Sequence, residues 1–209
     1  MSTKGPETSE RKRAAGGAVD KATRRQQILQ SARDVFAKHG YHAAKVEDIV
    51  HAAGVARGTF YLYFEDKRAI FEEIVDRLLV RFGMAIQRVD PKSDVVEQVK
   101  ANMRRIIHLL IEEKLTTKML LSDANGVDPA LDRKVHSFFE QVRALLEEAL
   151  IDGQELGIVT SGNARMQAIF IIGAHKEVMN QVVVRGWDDP EEEIVDALFA
   201  FLRDGALAL

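Results

Sequence analysis

From about residue 22, apolar residues recur every three or four positions. Ile28, Leu29, Ala32, Val35 and Phe36 form one stripe, the mark of an amphipathic helix, and Gly40 supplies a stop. Val46, Ile49, Val50 and Ala53 predict a second, short helix ended by Gly54, and a third starts near Arg57 and runs to about Phe64. Two short helices joined by a glycine-containing turn make a helix-turn-helix. Further stripes predict helices over about 66–88, 94–112, 115–124 and 131–153, with the run ANGVDP (124–129) as a turn. Two last helices are expected over 164–185 and 190–206, the second opened by Asp189–Pro190–Glu191. There is no strand alternation with hairpin turns and no internal repeat. The fold class is therefore all-α, with about nine helices.

Charge divides this chain of 209 residues unevenly. Residues 1–68 carry 13 Lys/Arg against 8 Asp/Glu, a net +5, and the remainder carries 16 against 24, a net −8. A basic first third on an acidic body points to a polyanionic partner for that third. Cysteine is absent, which excludes a disulfide framework, cysteine metal sites and thiol catalysis. The N-terminal stretch has no apolar core of a secretory signal, and no apolar run reaches the length of a membrane span. A cytoplasmic location is expected. Residues 1–20, rich in Gly, Ser, Thr and charge, read as a disordered basic arm in which Arg11, Lys12 and Arg13 could reach phosphates or a minor groove.

Residues 54–70 read GVARGTFYLYFEDKRAI and interleave aromatics with cations and hydroxyls. On a helix, Phe60 and Phe64 face the same way, toward the stripes of the two preceding helices. Arg57, Thr59, Tyr61, Leu62 and Tyr63 are left along the other sides. A helix buried along one narrow edge can enter the major groove. There Arg pairs with guanine, Thr and Leu can touch a thymine methyl, and Tyr hydroxyls and Lys67 suit phosphates.

The stretch from Gly40 to Ile74 resembles the DNA-binding domain of the TetR/AcrR family of bacterial transcriptional regulators. Phe36, Gly40–Tyr41, Val46, Ile49, Ala53–Gly54–Val55, Gly58–Thr59–Phe60–Tyr61, Tyr63–Phe64 and Lys67 carry the resemblance, which covers about residues 22–75. It implies that Lys45, Arg57, Gly58, Thr59, Tyr61, Leu62, Tyr63 and Lys67 approach DNA. Two positions depart from the family's pattern. Lys45 and Ala56 stand where Ser or Thr usually caps a helix, and losing such a cap costs on the order of 1 kcal/mol.

The domain organisation expected is an arm (1–20), a three-helix DNA-binding domain with the helix-turn-helix (21–68), and a helical ligand-binding and dimerisation domain (69–209). Apolar residues mass on helices 94–112, 131–153 and 164–185, where a small, largely apolar effector is expected. Met103, Ile107, Phe138, Phe170 and His175 are the candidate lining. The last two helices are apolar around much of their girth and so must bury two sides. One side meets the chain's own body, and the other is expected to form a homodimer bundle through Phe170, Val178, Val182, Leu198, Phe199 and Leu202. The histidines show no i, i+4 pairing with one another and no HExxH, so no metal or cofactor is expected.

The function expected is a ligand-responsive regulator, a repressor released from a palindromic double-stranded DNA operator by its effector. An enzyme is disfavoured, because no phosphate loop, nucleophile elbow or metal motif occurs. A helical protein-interaction module and a small all-α enzyme are the competing classes. Sequence-independent DNA binding would favour the first and substrate turnover the second.

Overall fold

In a computed structural model the described residues are 7–122 and 129–204. The turn read at 124–129 lies outside them but for Pro129. Among the described residues there are nine α-helices and no strand. They are α1 (Glu7–His39), α2 (Val46–Ala52), α3 (Arg57–Tyr61), α4 (Lys67–Ala85), α5 (Val95–Glu112), α6 (Lys114–Ser122), α7 (Pro129–Glu155), α8 (Ala164–Met179) and α9 (Glu191–Asp204). The chain divides into two compact units between Phe71 and Glu72, within α4.

α1 starts about fifteen residues earlier than its apolar stripe suggests, at Glu7. The segment read as a disordered arm is thus helical from Glu7 onward. Its Glu, Arg, Lys and Ala residues are good helix formers, and no proline interrupts them. The side chains of Arg11, Lys12 and Arg13 lie outside the described residues.

The core of the first unit is assembled from all its elements. Ile28, Leu29, Ala32 and Phe36 of α1, Ile49 of α2, Phe60 of α3 and Ile70 and Phe71 of α4 are all buried. Tyr41 stacks obliquely between Phe36 and Phe71, with ring centroids 5.3 and 5.2 Å away. α1 and α2 end where the chain turns left-handed at Gly40 (φ +75°) and Gly54 (φ +60°). A Cβ would strain both positions. Of the two cap departures, Ala56 leaves α3 with no side-chain cap. At α2 the carboxylate of Asp48 accepts the backbone N–H of Lys45 at 3.0 Å, which supplies the reverse half of a capping box.

In the second unit α7 packs along α8, and α5 packs along α9. Asp94 caps α5 by accepting the Glu97 N–H at 3.0 Å, and Asn163 caps α8 by accepting that of Met166 at 3.1 Å. Each cap stabilises its helix by about 1 kcal/mol. The α5–α9 seam buries Met103, Ile107, Ile194, Val195, Leu198 and Phe199 together with Met179 and Val183. Its edge carries the ion pairs Lys100–Asp196 and Arg104–Glu192. The helix expected over 164–185 changes winding near its end. Asn180–Val184 forms one π-helical turn, where three consecutive valines crowd the backbone.

Candidate nucleic-acid interface and ligand cavity

α3 is short, but its winding continues beyond Tyr61. The N–H groups of Leu62, Tyr63 and Phe64 bond to the carbonyls of Thr59 and Phe60 at 2.9–3.2 Å. The aromatic edge expected at Phe60 and Phe64 is buried, with ring centroids 6.1 Å apart. α1 fixes the far ends of both short helices. Arg25 donates to the Tyr63 carbonyl at 2.9 Å and lies over the Phe64 ring, and Gln27 donates to the Ala53 carbonyl at 2.7 Å. These two clamps went unread in the sequence, because an Arg or Gln on a helix gives no sign of which distant carbonyl it meets.

The opposite side of α3 is open. Tyr61 and Leu62 are exposed, Leu62 by 76%, a level that no packing within the chain explains for a leucine. Arg57 and Gly58 are exposed too, and Thr59 and Tyr63 are half-buried. The Arg57 guanidinium is held from two sides, 2.8 Å from Glu47 on α2 and 5.8 Å from the centre of the Tyr61 ring. A side chain tethered in this way is preorganised for a planar, two-point contact. Lys45 is exposed at the start of α2. A Cβ built on Gly58 meets nothing within 4 Å, so no contact within the chain calls for glycine there.

Lys67 departs from the role expected of it. Its Nζ donates to the carbonyls of Tyr41 (2.8 Å), His42 (3.0 Å) and Ala44 (2.9 Å) and lies 4.7 Å from the centre of the Tyr41 ring. An ammonium has three donors, and all three are engaged. Lys67 therefore pins the turn between α1 and α2 and has no donor left for a phosphate.

A cavity of about 440 Å³ lies in the second unit, within the range of small-molecule sites. Phe82 of α4, Met103 of α5, Phe138 of α7 and His175 and Met179 of α8 help line it. Phe82 meets Phe138 edge-on at 6.4 Å. Charged groups also belong to the lining: Arg88, Glu148 and Lys176 are exposed, and Lys176 lies over Phe139 at 4.1 Å. Of the candidate lining residues, Met103, Phe138 and His175 face this space. Ile107 and Phe170 do not. Ile107 is sealed in the α5–α9 seam, and Phe170 is 65% exposed.

The candidate dimer residues divide in the same way. Phe170 and Leu202 are exposed, alongside Met166, Ile169 and Phe201. Leu198 and Phe199 are buried in the chain's own seam and have little surface left for a partner, while Val178 and Val182 are half-buried and pack against it. Among the described residues no group of three His, Asp or Glu could hold a metal ion, and no helix is long and apolar enough to cross a membrane.

A tripod of α1–α3 with a buried aromatic edge, an open outer face and a tethered arginine has the build of a helix-turn-helix DNA-binding domain. The comparisons with known proteins agree. A family model described as bacterial regulatory proteins, tetR family, matches residues 28–74. The fatty acid metabolism regulator protein of Bacillus subtilis (strain 168) is 27% identical over 170 residues, covering 76% of this chain and 82% of its own. The solved fatty acid degradation regulator FadR from Bacillus halodurans superposes with a TM-score of 0.75 at 25% identity, covering 98% of each chain. FadR from Bacillus subtilis, solved in complex with stearoyl-CoA, superposes with a TM-score of 0.72 at 23% identity, over 87% of this chain and 99% of that one. Residues 28–74 thus match the tetR family of bacterial regulatory proteins, and the whole chain resembles regulators of that kind in sequence and fold.

Proposed function

We propose that this protein is a homodimeric repressor whose grip on its operator is released by a small, largely apolar effector held in the second unit. The cavity of about 440 Å³ carries this reading, since a regulator without an effector has no need of an apolar space of that size. The relatives that regulate fatty acid metabolism, and the one solved with stearoyl-CoA, favour an effector with a long apolar chain. Met103, Phe138 and His175 are its proposed contacts.

On the DNA side, Arg57, Thr59, Tyr61 and Leu62 are proposed to meet base edges. Lys45 and Tyr63 hold phosphates, and Gly58 lets the backbone come close. Two copies joined through the exposed apolar faces of α8 and α9 would place two such reading heads on a pseudo-palindrome. Phe170 and Leu202 would stand at that joint.

Coupling is proposed to run through α4, which carries Lys67 at one end and Phe82, on the cavity wall, near the other. The effector need only prefer one of two α4 positions. A tenfold loss of operator affinity takes about 1.4 kcal/mol of such preference.

The test is operator affinity, on a duplex selected for binding, with and without stearoyl-CoA, palmitoyl-CoA and the matching free fatty acids and alcohols. Release by at least one compound, weakened by Phe138→Trp, which would narrow the cavity, supports the reading. Undiminished affinity with every compound, while calorimetry shows none of them bound, would remove the effector from it.

A further inference from the structure

His175 is a polar group in a cavity lining that is mostly apolar. Its Nδ1 lies 2.8 Å from the carbonyl oxygen of Ile171, one turn back on α8. A carbonyl can only accept, so Nδ1 carries the proton and donates. Burial holds the ring's pKa below histidine's ordinary value, with the Ile171 bond acting weakly the other way. The ring is therefore neutral, and its other nitrogen, Nε2, is an acceptor without a proton.

No hydrogen-bond partner for Nε2 occurs among the described residues. No fully buried side-chain nitrogen or oxygen there lacks a partner, so Nε2 is not sealed in by protein. The ring is half-buried and belongs to the cavity lining beside Met103, Phe138, Ile172 and Met179. An acceptor among such walls gains nothing from a hydrocarbon or an ether and is repelled by a carboxylate. A ligand that brings a proton donor satisfies it.

Resting on the reading of this cavity as the effector site, we propose that the effector carries a neutral hydrogen-bond donor, a hydroxyl or an amide N–H, on its apolar body. That donor bonds to His175 Nε2. His175 then selects among apolar compounds of similar length, a choice the surrounding Met, Phe and Ile side chains cannot make by shape alone.

Two pairs of isomers test this by calorimetry on the whole protein: 1-decanol against 1-methoxynonane, and decanamide against N,N-dimethyloctanamide. Each pair holds composition fixed and removes the donor, and the His175→Phe variant controls for the change in shape. The wild type should prefer the donor-bearing isomer of at least one pair by about tenfold. Preference within the alcohol pair assigns a hydroxyl, and preference within the amide pair alone assigns an N–H. In His175→Phe, which keeps a ring and removes the acceptor, the two members of each pair should bind alike. The wild type also gives a readout that needs no variant. The Nε2 resonance in long-range proton–nitrogen spectra should move when a donor isomer is added and stay in place with its donor-free partner. Equal binding within both pairs, a preference that survives in His175→Phe, or an unmoved Nε2 resonance overturns the inference and leaves the cavity reading standing. Binding of none of the four compounds overturns both.

Discussion

Gly58 occupies the second position of α3, where its backbone is not left-handed and a methyl group would touch nothing in the free protein. Alanine at that position should raise helix stability by up to about 1 kcal/mol. If the glycine is there so that DNA can approach the backbone, Gly58→Ala should melt no lower than wild type and yet bind operator more weakly. Thermal melts and anisotropy titrations on the same samples separate the two. A variant with full affinity would deny α3 its place in the groove. Lys67 makes the opposite case. Lys67→Met removes three charge-assisted hydrogen bonds from the turn before α2 and should destabilise the first unit by on the order of 2–3 kcal/mol. Hydrogen exchange at residues 41–53 should accelerate, and unchanged exchange there would return Lys67 to the phosphate role. The sequence pointed to the Lys67 charge but not to its target. The three carbonyls lie 23 to 26 residues away along the chain and converge only once α1, α2 and α4 have packed. Phe60 and Phe64 could be read because four-residue spacing is a local property of a helix.

At the scale of elements, α9 shows where pattern reading stops. Its girth carries two apolar stripes, and periodicity cannot say which one the chain keeps for itself. Ile194, Val195, Leu198 and Phe199 close the seam with α5, while Phe201 and Leu202 remain outside with Met166, Ile169 and Phe170 of α8. The positions of the helices followed from apolar spacing. The early start of α1 and the π-helical turn at Asn180–Val184 did not, since neither changes which residues are apolar. The two stripes should respond differently to charge. Phe199→Asp removes a buried ring from the seam, costs several kcal/mol, and should unfold the second unit. Phe170→Asp exposes its charge in the monomer and should leave the fold and melting of the monomer intact while separating the proposed dimer. Light scattering with circular dichroism reads both, and a Phe170→Asp protein that stays dimeric at micromolar concentration would move the interface elsewhere.

At the scale of the whole molecule, α4 is the element that both units share, because the division between them falls at its fifth residue. The buried edge and the exposed face of α3 were legible in residues 57–64, where the order of residues is tightly constrained by a helix that must bury one edge and present the rest. The cavity was visible only as a massing of apolar residues on three helices. An apolar residue that faces an empty space looks, in sequence, the same as one that faces a neighbour, so Ile107 and Met103 could not be told apart. The proposed regulation depends on α3 as the reader of a two-fold site. Selecting bound duplexes from a random pool, with wild type and Arg57→Ala in parallel, tests this most directly. The expected wild-type result is an inverted repeat with half-sites about one helical turn, or a multiple, apart. Arg57→Ala should lose base preference at one position in each half-site, at a cost of about 1–3 kcal/mol. A pool with no enriched motif, or the same motif at every position for both proteins, would contradict it.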